Sequence, residues 1–138
     1  MDKERPAILI VDDNRGIGDI LYEKLRSKGY YCCVAESADD ALTKLRDRIY
    51  NVVLLDVKLP GKSGVDLLRD FKSAHSDTII IMVSAVVELD TKDEAIRRMA
   101  YDYIVKPFNL QDIVLSVERA LGYQYLNTVW RRRLGISR

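Results

Sequence analysis

Five short apolar runs recur along the chain, Ala7–Val11, Tyr30–Ala35, Val52–Leu55, Ile79–Val83 and Tyr103–Val105, with helical spacing of apolar residues between them. A continuous apolar run bounded by turn signals suits a strand covered on both faces, where alternation would instead mark a strand with one face in water. Strands that alternate with helices join through right-handed crossovers, so the runs predict a parallel sheet with helices on both sides. The expected class is therefore α/β, a doubly wound five-stranded parallel sheet in three layers.

Four of the runs lead into polar residues. Val11 is followed by Asp12 and Asp13, Leu55 by Asp56, Val83 by Ser84, and Val105 by Lys106 and Pro107. Any one of these could simply mark where a buried strand leaves for solvent. In an open α/β sheet, however, the crevice beyond the carboxyl ends of the strands is where ligands bind. Three carboxylates, one hydroxyl and one ammonium would meet there. The four charged groups sum to −2, which repels a phosphoryl donor, and a divalent cation would cancel it. Mg²⁺ suits such a site because it prefers oxygen ligands and needs few carboxylates. Asp56 could then attack phosphorus as a nucleophile, with Lys106 and the Ser84 hydroxyl balancing charge on the transferring oxygens.

The connections support this scheme. Asn14 is placed to cap a first helix with Ile17, Ile20, Leu21 and Leu25 on its apolar face and Gly29 as its stop. Gly16 and Gly18 in its opening turns each cost it about 1 kcal/mol relative to alanine, so that turn either frays or brings its backbone close to something. Ser37 and Asp40 give a capping pattern before Ala38, Ala41, Leu42, Leu45 and Ile49, and Ser63 with Asp66 repeats it before Leu67, Leu68 and Phe71. A fourth helix, from Thr91 to about Met99, is mostly charged and is expected to dock loosely. Asn109 opens a fifth with Leu110, Ile113, Val114, Val117 and Leu121. From Gly122 the composition shifts toward Tyr123, Leu126, Trp130 and Leu134, ending in Arg131–Arg133. Residues 1–122 are thus expected to form the domain and 123–138 a helical extension or a linker toward an output region, with a dimerising helix and weak, salt-sensitive phosphate binding by Arg131–Arg133 as the other readings.

Charge and cysteine usage remove several functions. Lys plus Arg number 22 against 21 Asp plus Glu, so the net charge of +1 gives no general attraction to nucleic acid or anionic lipid. No apolar stretch approaches the roughly 18–20 residues of a membrane span, and the cytoplasm is the expected compartment. Cys32 and Cys33 are neighbours on one strand and point to opposite faces, which predicts two separately packed thiols. His75 is the single histidine, so a histidine-based metal site or catalytic triad is excluded.

The set Asp12–Asp13, Asp56, Ser84 and Lys106–Pro107–Phe108, in that order and spacing, resembles the receiver domain of two-component response regulators over residues 5–122. The resemblance implies a flavodoxin-like fold with strand order 2-1-3-4-5. It implies Asp56 as phosphoacceptor, Asp12, Asp13, Asp56 and the Lys58 backbone carbonyl around Mg²⁺, and Lys106 as the phosphate-contacting lysine. Ser84 and Tyr103 correspond to a hydroxyl and aromatic switch pair acting on a face built from the fourth helix, fifth strand and fifth helix. The implied partners are a histidine kinase or phosphotransfer protein, a second copy bound through that face, and an output domain or protein partner, with no direct nucleic-acid or membrane binding. Such a domain is a signalling phosphoacceptor and not an enzyme on external substrates.

Met99 stands where that family commonly has glycine, so the turn into the fifth strand must avoid a positive φ or absorb strain. Lys58 and Val86 flank the expected phosphoryl position and predict a long-lived phosphoryl state. Two other readings share part of this pattern. A Mg²⁺-dependent aspartyl-phosphate phosphatase or phosphotransferase would use the same chemistry but would need a substrate-covering loop. A non-phosphorylated pseudo-receiver would keep the fold and lose site residues, whereas here all are chemically intact.

Overall fold

A computed structural model describes residues 5–60, 64–74, 77–85 and 99–135. The segment expected to form the fourth helix lies outside these residues except for Met99, as do Ser63, His75 and Val86. The described elements are β1 (Ala7–Val11), α1 (Arg15–Ser27), β2 (Tyr31–Ala35), α2 (Ala38–Asp47), β3 (Val52–Leu55), α3 (Gly64–Ala74), β4 (Ile79–Ala85), β5 (Asp102–Lys106) and a C-terminal helix (Leu110–Leu134). The strands form one parallel sheet in the order β2-β1-β3-β4-β5, which agrees with the expected topology.

Alternate residues of each strand feed opposite faces, as the period of two requires. Leu9, Val11, Val53, Leu55, Ile80 and Met82 pack with Ala41 and Leu45 of α2 and with Leu67, Leu68 and Phe71 of α3. Ile8, Ile10, Val52, Leu54, Ile81 and Val83 pack with Leu21 and Leu25 of α1 and with Ile113, Val117 and Ala120 of the C-terminal helix. Both faces of the central strands are therefore dry, and burying each such aliphatic side chain contributes roughly 1.5–3 kcal/mol. Cys32 joins the second core and Cys33 packs against the first, both as free thiols, as their adjacency predicts.

The caps form where the sequence places them. Asn14 Oδ1 accepts from Ile17 N at 3.1 Å, Ser37 Oγ from Asp40 N at 3.1 Å, and Asn109 Oδ1 from Gln111 N at 2.8 Å. Gly18 explains why α1 tolerates glycine: a Cβ there would lie 3.1 Å from Val34 Cγ1, so its absence lets α1 sit down on β2. Close approach to the sheet, and not fraying, is the use of this residue.

Two apolar positions fall outside the core. Ile49 is 83% exposed because α2 ends at Asp47 and Arg48 is extended, which carries the chain off the helical period. Ile20 is 51% exposed, one step round the helix from the buried line Gly18, Leu21 and Leu25. The turn after Met99 needs no left-handed residue, since no described residue other than glycine has a positive φ.

Candidate functional site

The sheet's carboxyl edge brings together residues 94 positions apart. Asp12 and Asp56 leave the adjacent strands β1 and β3, and their backbones are pinned there because Asp12 N donates to Ala35 O and Asp56 N to Val11 O, both at 3.0 Å. Ser84 lies within β4 and Lys106 ends β5, where it pairs in register with Ala85. Parallel strands with this register necessarily deliver all four side chains to the same end.

Contacts at the site are short. Lys106 Nζ donates to Asp12 Oδ2 at 2.8 Å and to Asp56 Oδ2 at 2.9 Å. Ser84 Oγ donates to Asp56 Oδ1 at 2.7 Å, and the Lys58 backbone N–H reaches the same oxygen at 3.2 Å. Asp12, Asp56 and Ser84 are buried, whereas Asp13 and the Lys58 side chain are exposed at the mouth. Asp13, Asn14, Asp56, Lys58, Leu59, Pro60 and Lys106 line a cleft of about 430 Å³. The Lys106–Pro107 peptide bond is cis.

One ammonium shared between two buried carboxylates sets the electrostatics. Burial raises the Asp12 carboxyl above its ordinary value, and the neighbouring Asp56 charge adds to this; the bonds from Lys106 and from Asn14 N oppose it without cancelling it. Burial pulls the Lys106 ammonium down, but the two carboxylates together outweigh that and hold it above its ordinary range.

Such a site retains capacity for a cation. Carboxylate oxygens of Asp12, Asp13 and Asp56 lie within 4.8 Å of one another. The donors are all hard oxygens with two buried members and one at the opening, a set that fits Mg²⁺ better than a soft metal. The expected switch aromatic, Tyr103, pairs in register with Met82 and packs with Met99 and Ala100 against the core of the α2–α3 face.

Sequence reasoning missed one supporting group. Asn14 caps α1 with its side chain and also donates its backbone N–H to Asp12 Oδ1 at 2.9 Å. An aspartate two residues before an asparagine cap is the available signal, because Asp side chains bond their own backbone two residues on.

The profile of the response regulator receiver domain matches residues 8–118. The chain belongs to this family. Among its relatives is the nitrogen assimilation regulatory protein NtrX of Azorhizobium caulinodans, 39% identical over 116 residues, a match covering 83% of this chain and 26% of that protein. The chain thus spans about a quarter of the length of such curated relatives. The receiver domain of NtrX from Brucella abortus superposes with a TM-score of 0.77 at 38% identity, covering 83% of this chain and 98% of that one. TrrA of Thermotoga maritima, solved in complex with Mg²⁺–BeF, gives a TM-score of 0.76 at 31% identity, covering 84% of this chain and 99% of that one. In this response regulator receiver domain the side chains of Asp12, Asp56, Ser84 and Lys106 meet in one pocket.

Proposed function

We propose that Asp56 accepts a phosphoryl group from a histidine kinase or phosphotransfer protein and that the domain signals through the resulting change of shape. The convergence of Lys106, Ser84, Asp12 and Asp13 on Asp56 carries this reading. An Asp56 carboxylate oxygen forms the new bond to phosphorus while the donor's bond to phosphorus breaks and its electron pair leaves with the donor, producing an acyl phosphate. Lys106, already within hydrogen-bond distance of Asp56, lies close enough to offset the charge that moves onto the phosphoryl oxygens. Asp12, Asp13, Asp56 and the Lys58 carbonyl would hold Mg²⁺, which supplies charge neutralisation. The solved complex of TrrA with Mg²⁺–BeF, a protein of this fold, supports Mg²⁺ as the ion, and the Asp12, Asp13 and Asp56 carboxylates supply the oxygens for it.

In the same reading Ser84 donates to a phosphoryl oxygen and Tyr103 follows it inward, repacking the face around β5 and the C-terminal helix. That face, where Val105 and Leu115 are exposed, would meet a second copy or a downstream partner. Residues 123–138 would lead from the domain toward an output region, the reaction would have no external substrate, and the setting would be the cytoplasm. Among the described residues no helix is long and apolar enough to cross a membrane.

Intact mass after incubation with Mg²⁺ and a small acyl-phosphate donor tests the proposal. Wild-type protein should gain one phosphoryl group and Asp56→Ala none. Equal gain in both, or none in either, refutes it.

A further inference from the structure

The C-terminal helix continues past the buried apolar face of the domain without a break, and its inner side changes character as it does so. Val117 and Ala120 are fully buried; Gln124, Asn127 and Arg131 continue the same line at steps of three and four residues and are half-buried. These later residues face the sheet's amino edge, opposite the phosphoacceptor pocket.

Gln124 is bonded at both ends of its amide. Its Oε1 accepts from Asn51 Nδ2 at 2.9 Å, and its Nε2 donates to Asn51 O at 3.2 Å and to Asp77 O at 2.7 Å. Asn51 is itself held, since its Oδ1 accepts from Ala7 N at 2.8 Å and its backbone N–H donates to Ala7 O at 2.8 Å. Two turns further on, Arg131 Nη1 pairs with Asp77 Oδ1 at 2.8 Å. Asn51 immediately precedes β3 and Asp77 lies just before β4, the strands whose far ends carry Asp56 and Ser84.

We infer that Gln124, Asn51, Asp77 and Arg131 form a latch that fastens the helical extension beyond Gly122 to the sheet, making it a rigid arm and not a free tether. A solvated glutamine on a helix surface would bond mainly to water; this one spends its carbonyl and both amide hydrogens on three groups of the segments that lead into β3 and β4. Together these bonds hold three helical turns that bury little apolar surface. The direction in which the chain leaves the domain is thereby set by residues before β3 and β4. This does not depend on whether Asp56 is phosphorylated.

Amide hydrogen exchange of the full chain tests the latch. Backbone amides of residues 125–133 should be protected in the wild type and should exchange on the order of tenfold faster in Gln124→Ala, and faster again with Arg131→Ala added. Amides of 113–121 should keep their protection and report that the domain remains folded. Unstructured-chain exchange rates for 125–133 in the wild type overturn the proposal outright, with no variant needed. So does unchanged protection in the double variant. Should that variant unfold as a whole, Gln124→Glu decides: it keeps the acceptor for Asn51 but loses the two donated bonds, and unaltered protection of 125–133 in it also overturns the latch.

Discussion

Ser84 donates its hydroxyl hydrogen to Asp56 Oδ1 across 2.7 Å, from a side chain with no solvent exposure. The hydroxyl is thus already beside the oxygen pair on which phosphoryl chemistry is proposed, and only a small displacement would bring it to a phosphoryl oxygen. Ser84→Ala removes a preorganised donor while leaving Asp56 and Lys106 in place. Phosphoryl uptake from a small acyl-phosphate donor should continue but slow by about tenfold to a hundredfold. Ser84→Thr should keep most of the rate. A mass time course checks both, and an alanine variant as fast as wild type would show that the hydroxyl takes no part.

Mg²⁺ should stabilise the fold, because the acidic cluster exists in the folded chain and is scattered in the unfolded one. At 100 times the dissociation constant, one-site linkage gives about 2.7 kcal/mol, readable as a rise in urea midpoint that EDTA reverses. Asp13 is exposed and should be replaceable by alanine at little cost to metal-free stability while losing most of the Mg²⁺ effect. Equal midpoints with and without Mg²⁺ in the wild type would mean the three carboxylates do not hold the ion.

Burial raises the Cys32 thiol from 9.0 to about 11, with the nearby Cys33 adding to the effect. The folded state disfavours the thiolate, so this contribution is intact below pH 9.0 and is lost as pH rises toward about 11. The loss amounts to no more than roughly 2–3 kcal/mol. Tyr50, also raised by burial from 10.0, adds to the decline at the alkaline end. Unfolding free energies measured below pH 9.0 and near pH 11 should therefore converge more in Cys32→Ala than in the wild type. Parallel slopes would exclude the thiol as a source.

Much of this was readable from the chain because burial on two faces leaves a strong mark. Val52–Leu55 could hardly be anything but a central strand, and once five such runs alternate with helices, the residues after them must share an edge. Asp12, Asp56, Ser84 and Lys106 were legible for that reason. Ile49 was misplaced since its spacing continues the α2 stripe, and nothing local announces that Arg48 turns extended. Asn51 and Gln124 left no signal at all. Isolated amides look like surface residues, and theirs meet only after 73 positions of intervening chain have folded.

Asn51 gives the sharpest energetic test of how the C-terminal helix is tied to the amino edge of the sheet. Its side chain accepts from Ala7 N and donates to Gln124 Oε1, so one amide links the start of β1 to the C-terminal helix. Asn51→Ala leaves that backbone N–H and that carbonyl oxygen without their partners in a half-buried setting. The cost should be about 2–3 kcal/mol, seen as a lower urea midpoint at unchanged slope. Asn51→Asp retains an acceptor for Ala7 N but sets a carboxylate oxygen against Gln124 Oε1, so it should recover only part of the loss. The same substitutions should leave phosphoryl uptake at Asp56 within about twofold of wild type, since β3 stays paired on both sides. A destabilisation below about 0.5 kcal/mol in Asn51→Ala would show that water replaces the amide without penalty and that the helix is held by its apolar face alone.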